Sequence, residues 1–384
     1  MSLIVRTITA NQHRDWIASR PSVSFLQLPE WGAVKVGWTS ESLGWFDGAR
    51  LVGAGLVLYR SVPKVKARSL AYLPEGPDID WLRESLPGAT LDDWLDPLLA
   101  HCKSRGAFQL KMGPAIAIRR WQADTIKAAI AERTAGSLNP PARISDLVAD
   151  WHSTKGMQVV ERLQSRGWVQ EGGDESGFGD VQPRYVFQLN LANRSTGDIF
   201  GDFNQLWRRN IRKSEKAGVE VAQGDFADLA AFHTIYAETA QRDQFTPRGL
   251  AYFERMWQQL NDVEPGRLSL YLANYGGHVA AATLMIRVGT HAWYSYGAST
   301  TADREVRPSN ALQWRMITDA HRAGCQVFDL RGISDTLDPK NHLFGLVQFK
   351  LGTGGFAQEY VGEWDYILRG AWAKGYRAYQ SRRG

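Results

Sequence analysis

The sequence predicts a duplicated α/β (α+β) fold, with two tandem units that each carry a mixed sheet with helices on its faces. Three matched segments predict it. The hairpin signal Asp47-Gly48, between Trp45-Phe46 and LVGAGLVLY, has a counterpart in Tyr275-Gly276-Gly277, between RLSLYLA and HVAAATLMI. LAYLPEG is matched by WYSYGAS, and HCKSRGAFQLKMGP by AHRAGCQVFDLRGI. The copies stand more than two hundred residues apart, too far for a solenoid. Their spacing fits a repeated unit of roughly 150 to 180 residues, and strands followed by a late helix and strand give a mixed sheet.

The first copy opens with a strand (Leu3 to Thr7) and a helix (Asn11 to Ser19). Pro29 starts a second helix that runs through Trp31 to Lys35, with Lys35 one turn after Trp31 on the same face. The Asp47-Gly48 hairpin, a strand at Leu70 to Leu73 and the turn PEGPD follow. A helix from Asp92 to Lys103 closes on Gly106, and AFQLKM is the next strand. Residues 123–180 read as less regular, with Pro140-Pro141 and a mobile loop at EGGDESGFGD. In the second copy a helix from Ala311 to Arg322 ends at Gly324 before the strand QVFDL. The tail, Ala371 to Arg383, is a helix candidate with Trp372, Tyr376 and Tyr379 on one side, packing back on the first unit.

Composition narrows the function. The length of 384 residues fits two or three domains, and 44% hydrophobic with 22% charged residues is ordinary for a globular protein. A net charge of +5 suggests an anionic partner: nucleic acid, nucleotide or acidic lipid. Two cysteines, Cys102 and Cys325, offer neither a disulfide framework nor metal-ligand spacing, which fits a reducing compartment. The eight histidines are scattered, so no metal is expected, and no cofactor either. The N-terminus lacks an apolar signal core, and no apolar run is long enough to span a membrane, so a cytoplasmic location is expected.

Four stretches carry candidate chemistry. LFGLVQFKLGTGGFAQEYVGEWDY places Lys350 behind Phe349 and before Gly352, Gly354 and Gly355. It reads either as a strand, a glycine turn and a strand with Lys350 in water, or as a backbone close to a ligand with a fixed positive charge beside a carbonyl or phosphate. FNQLWRRNIRKSEKAGVEV reads as a helix closed by Gly218. Its Arg208, Arg209, Arg212, Lys213 and Lys216 are opposed only by Glu215, which makes a basic face suited to a phosphate backbone or simply to solvent. Arg248 and Tyr252 share a face if a helix starts after Pro247, and an arginine there suits a phosphate or carboxylate. Tyr294 and Tyr296 alternate on a strand and so face one side. Nucleophile elbows, P-loops and GxGxxG fingerprints are absent, so positioning and charge stabilisation suit the chain better than a covalent intermediate.

Taken together, RRNIRKSEKAGVEV, RDQFTPRGLAYF, WYSYGAS, ALQWRMITDAHRAGCQVFDLRGIS and GLVQFKLGTGGFAQEYVGEWD resemble the Fem family, bacterial aminoacyltransferases that build peptidoglycan cross-bridges. LPEWGAVK and LPEGP add weaker marks, and the likeness is strongest over residues 182–366. The resemblance implies tandem acetyltransferase-like (GNAT) domains, here residues 1–181 plus 367–384 on the acceptor side and 182–366 on the aminoacyl-tRNA side. It implies transfer of glycine, alanine or serine from aminoacyl-tRNA to a stem-peptide amine of a precursor, UDP-linked or lipid-linked. It assigns Lys35, Arg248 and Tyr252 to the precursor's phosphates and neighbouring groups, Tyr294 and Tyr296 to the site wall, and Phe349 with Lys350 to the catalytic channel. The glycines after Lys350 then let the tRNA end approach. The basic residues 208–216 take the tRNA, because no room remains between Val221 and Ser334 for the helical hairpin that many members insert. A monomer with peripheral contact at the inner membrane face is expected. One departure stands out: Met112-Gly113-Pro114 replaces an Asp-Pro step, so an acid expected near the acceptor is missing.

Two rival functions remain open from sequence. A CoA-dependent acyltransferase needs a glycine-rich pyrophosphate loop, and REVRPSNALQW has no glycine. A nucleic-acid-binding protein without catalysis uses the basic helix but leaves Phe349-Lys350 without a role.

Overall fold

The computed structural model describes residues 3–380 apart from 64, 87, 137–138 and 171–181. EGGDESGFGD lies outside the described residues, as does the side chain of Tyr379. The chain forms two compact units: Met1–Arg119, Trp151–Arg184 and Glu359–Gly384 make the first, Arg120–Asp150 and Tyr185–Gln358 the second. These differ from the sequence boundaries in two main stretches. Trp121, Ile126, Ala129 and Ile144 bury in the second unit's core, which draws residues 120–150 into it. Val361 and Trp364 bury in the first unit's core, which draws residues 359–366 into that one.

The chain begins with β1 (Ile4–Ile8), α1 (Ala10–Ala18), α2 (Pro29–Val34), β2 (Thr39–Asp47), β3 (Arg50–Val62), β4 (Val65–Leu73), α3 (Leu91–Ser104) and β5 (Ala107–Met112). Local chemistry explains most of these bounds. Thr90 caps α3 in a reciprocal box with Asp93, and Gly106 takes φ +86 just past its end. Next come β6 (Ala117–Gln122), α4 (Ala123–Thr134), β7 (Trp151–His152), α5 (Thr154–Ser165) and β8 (Val169–Gln170). The stretch from 123 is therefore more regular than its prolines suggest: α4 and α5 are 12 residues each, and both lie clear of Pro140-Pro141.

The second half continues with β9 (Tyr185–Asn190), α6 (Thr196–Asp202), α7 (Gln205–Lys216), β10 (Glu220–Gly224), α8 (Leu229–Asp243), α9 (Leu250–Asn261), β11 (Leu268–Tyr275), β12 (His278–Val288) and β13 (His291–Ser299). It ends with α10 (Pro308–Arg322), β14 (Val327–Gly332), α11 (Phe344–Leu351), β15 (Phe356–Tyr360), β16 (Trp364–Ile367) and α12 (Gly370–Gln380). The longest helices between Val221 and Ser334 have 15 residues, so that stretch holds no long hairpin.

Both sheets are mixed. The first unit orders its strands β1-β2-β3-β4-β5-β16-β8, with β4 and β5 parallel. The second unit runs β10-β11-β12-β13-β14-β9-β15, with β13 and β14 parallel. In each, two hairpin steps lead to a helix (α3 or α10) and then to a parallel strand, so the duplication read in the sequence is a duplication of topology. Ala280 to Ile286 in β12 is buried without alternation, as in a strand covered on both faces. Ala373 and Tyr376 of α12 pack on Phe108 of the first unit, and Trp372 stays 38% exposed.

One element differs in kind from the sequence reading. Phe344–Leu351 is a helix and not a strand. Phe344, Val347 and Leu351 fall at helical spacing and bury together, whereas a short apolar run does not separate helix from strand by itself.

Candidate functional site

A cavity of about 540 Å³ opens within the second unit. Asn204, Trp207 and Asn210 of α7 line one wall, and Thr239 and Arg242 of α8 line another. Thr283, Tyr294 and Gly297 come from β12 and β13, Asn310 and Gln313 from α10, and Phe349 from α11. Asn204 sets the start of α7 by accepting the Trp207 amide at 2.8 Å. The wall at β13 exists because the register with β12 slips between Ala282 and Leu284. Tyr296 takes φ +53 there, and a Cβ on Gly297 would overlap the Tyr294 hydroxyl.

That bulge corrects the pairing of the tyrosines. Tyr294 lines the cavity, while Tyr296 turns to α8 and α9, so the two do not share a face. The Tyr296 hydroxyl meets that of Tyr252 at 3.1 Å. Burial, then the Tyr296 hydroxyl, push the Tyr252 phenol far above its ordinary value. Arg248 precedes α9 instead of lying on it, yet its guanidinium stands 5.5 Å from the Tyr252 ring centre. Arg248, Tyr252 and Tyr296 thus form one cluster, apart from the residues around Phe349. Lys35 belongs to the first unit, at the end of α2, with its Nζ 5.3 Å from the Trp31 ring centre.

Phe349 and Lys350 point to different places. The Phe349 ring lies 4.6 Å from that of Trp207, whose Nε1 donates to the Phe349 carbonyl at 2.7 Å. Lys350 is 3% exposed, and its Nζ donates to the carbonyls of Arg331, at 3.3 Å, and Gly332. A surface position for Lys350 is therefore wrong. Arg331 takes φ +62, and Asp329 Oδ1 accepts its amide at 2.6 Å, so this carboxylate shapes the turn that receives the lysine. Asp329 Oδ2 also accepts from Gln188 at 2.9 Å and stands 3.5 Å from His291. Burial would raise Asp329, but the His291 contact and the Arg331 charge outweigh it and hold the carboxyl low. Burial brings Lys350 down to about 7, with Asp329 opposing and Arg331 assisting.

The glycines after Lys350 face protein, which corrects their reading as a free approach for a ligand. A Cβ on Gly352 would overlap Trp207, one on Gly354 the Asp202 carbonyl, and one on Gly355 the Gln188 carbonyl. On α7, Arg209, Arg212, Lys213 and Lys216 are exposed and Arg208 is half-buried. Among the described residues none of the five forms an ion pair; Arg208 donates to the Gly201 carbonyl at 2.6 Å, and Arg212 lies over Phe200.

Trp207, Arg242, Asn310 and Gln313 also line the cavity. They lie within stretches that the sequence singles out on account of other residues. The missing acid at position 113 also has a structural answer. A Cβ on Gly113 would come within 2.8 Å of Glu363 Cγ, so Glu363 of the same unit fills that space. Its Oε1 accepts from the Tyr72 hydroxyl at 2.6 Å.

The profile of the FemAB family matches residues 8–274 and 266–380. The chain belongs to the FemAB family. Lipid II:glycine glycyltransferases of Staphylococcus haemolyticus and Staphylococcus aureus are each 22% identical to this FemAB chain, over 94% of it and 92% of their own length. Among solved structures, FemX superposes with a TM-score of 0.77 at 20% identity, covering 96% of this chain and 98% of FemX. A tandem GNAT protein from the clavulanic acid biosynthesis pathway superposes with a TM-score of 0.52 at 12% identity, covering 96% and 99%. The FemAB chain therefore has the tandem GNAT-like fold. No helix among its described residues is long and apolar enough to cross a membrane.

Proposed function

We propose that this FemAB protein is an aminoacyltransferase that moves glycine from glycyl-tRNA to an amine on the peptide of lipid II. The observation that carries this reading is the full-length relationship to lipid II:glycine glycyltransferases, 94% of this chain against 92% of theirs. The amine nitrogen attacks the ester carbonyl carbon. A C–N bond forms, the ester C–O bond breaks, and the ribose oxygen takes the proton that the amine gives up. The ester is already activated, so positioning and charge are what the protein must supply.

In this reading Phe349 holds the donor end against the cavity wall, and Lys350 supplies positive charge behind it through the Arg331-Gly332 turn. Lys35, Arg248 and Tyr252 receive the acceptor's phosphates and neighbouring groups, with Tyr294 and Tyr296 among the site-lining residues. The basic face of α7, Arg208 to Lys216, takes the tRNA backbone. The acceptor's lipid brings the protein to the inner membrane face as a peripheral monomer.

Incubation with glycyl-, alanyl- and seryl-tRNA, each with lipid II and with its UDP-linked precursor, tests the proposal by product mass. A gain of one glycine on lipid II is the expected result. No product from any charged tRNA, together with tight acetyl-CoA binding by calorimetry, refutes it in favour of a CoA-dependent enzyme.

A further inference from the structure

Lys350 is held at a slip in the second unit's sheet. Asp329 of β14 pairs with Gln188 of β9, and Gly332 pairs with Val186, so β14 spends one more residue than its partner between these points. Arg331 falls inside the slip at φ +62, a left-handed conformation that residues with a side chain rarely adopt. The carbonyls of Arg331 and Gly332 accept from Lys350 Nζ. Backbone of this kind persists only where its surroundings hold it.

The holding group is Asp329, and it is itself held from both sides. Its Oδ1 accepts the Arg331 amide at 2.6 Å. Its Oδ2 accepts from Gln188 Nε2 at 2.9 Å, and His291 Nε2 stands 3.5 Å from that same oxygen. The strand register explains the meeting. Trp293 of β13 and Gln188 of β9 are the residues opposite Asp329 on its two neighbouring strands. His291 lies two residues before Trp293, on the same face, and its ring stacks on the Trp293 ring with centres 4.0 Å apart and planes 12° apart. Asp329 and Gln188 are buried, and a buried carboxylate keeps its charge only with such partners. The charges that act on Lys350 are Asp329, which favours the ammonium, and Arg331, which opposes it. Slack at Gln188 or His291 therefore reaches the lysine twice, through the turn that accepts from it and through the carboxylate that favours its charge.

We infer that Gln188 and His291 are positioning residues for Lys350: they grip Asp329 from the two neighbouring strands and so hold the Arg331-Gly332 turn that fixes the lysine. The inference rests on the aminoacyl-transfer reading above, in which Lys350 supplies positive charge, and adds the residues that set that charge in place. Both act through Asp329 and not on substrate.

The test uses the full chain labelled at lysine Cε, followed by NMR across pH, with the Lys350 signal assigned by its loss in Lys350→Met. Gln188→Met keeps most of the side-chain volume and loses the amide. His291→Phe keeps a flat ring on Trp293 and loses the nitrogen. Wild-type Lys350 titrates at about 7, below the ordinary lysine range. In both variants the titration moves lower still, because the ammonium loses acceptors. With lipid II and charged tRNA, kcat falls by about 10- to 10²-fold while KM for either substrate holds, as expected when a catalytic group is misplaced. The alkaline limb of the pH–rate profile moves to lower pH. A role confined to stabilising the sheet lowers the melting temperature and leaves both the titration and the limb where they were. His291 has a side chain 16% exposed, so His291→Phe carries the test alone if Gln188→Met does not fold.

An unmoved Lys350 titration in the folded variants overturns the inference, as does wild-type kcat beside a moved titration. A moved titration in a protein whose wild type yields no product from any charged tRNA leaves the grip on Lys350 standing and refutes the proposed function.

Discussion

Trp207 Nε1 donates to the carbonyl of Phe349 at 2.7 Å, and this bond ties the basic helix α7 to the helix that carries Phe349 and Lys350. Gly352 completes the joint, because any Cβ there would overlap the indole. Gly352→Ala is expected to cost about 1–3 kcal/mol through overpacking. Trp207→Phe keeps most of the burial and loses the hydrogen bond, at a cost of about 1 kcal/mol. Urea denaturation measures both, and a neutral Gly352→Ala contradicts the packing described.

The carbonyls that hold Lys350 belong to a turn that Asp329 pins. Lys350→Ala is expected to cut turnover of charged tRNA by about 10- to 10³-fold, by analogy with a lost oxyanion donor. Asp329→Asn loosens the turn and removes the charge that favours the ammonium. Its pH–rate profile should lose activity at lower pH than wild type on the alkaline side. Wild-type turnover in Lys350→Ala contradicts the assigned role.

Lys350 also gives a stability signature. Burial brings its pKa from 10.5 to about 7, so between these values the unfolded chain holds a proton that the folded chain has released. Its contribution to stability therefore rises with pH across that window, by up to about 1.4 kcal/mol per pH unit. Relative to Lys350→Met, wild type should gain in urea midpoint from pH 7 towards pH 10. A flat difference shows that the lysine is not held in this environment.

The basic face of α7 predicts a salt effect. Replacing Arg209, Arg212 or Lys213 with Gln should weaken RNA binding and flatten the plot of log K against log salt by about 0.7 to 0.9 for each phosphate no longer neutralised. Filter binding at several salt concentrations reads it. An unchanged slope in the triple variant places the RNA elsewhere.

In the first unit, Glu359 is fully buried between Arg119, at 2.5 Å, and Arg184, at 2.8 Å. Arg119→Met with Arg184→Met removes both of these cations from the buried carboxylate and should cost about 3–5 kcal/mol. Adding Glu359→Gln should restore part of it. Thermal melting of the three chains decides.

Much of the fold was legible because its signals are local. Asp47-Gly48, Gly106 and Pro29 each act on backbone within a few residues, so several turns and helix ends could be read in order. The duplication was legible because both copies kept those signals in the same sequence, and family membership followed from motifs in order along the chain. The sequence could not decide Phe344 to Leu351, since a short apolar run takes its form from what it packs on. It paired Tyr294 with Tyr296 because strands alternate, and the bulge that separates them depends on the partner strand. Nor could it show that Glu363 fills the space beside Gly113, or that Asn310, Gln313, Trp207 and Phe349 border one cavity. Those contacts join residues far apart in the chain, and only packing of the sheet and helices brings them together. The sequence by itself determined the order of hairpin, helix and strand shared by the two copies, the repeat and the family resemblance. The tertiary structure decided which way Lys350 points and which residues line the cavity, because burial and hydrogen-bond satisfaction belong to the folded whole.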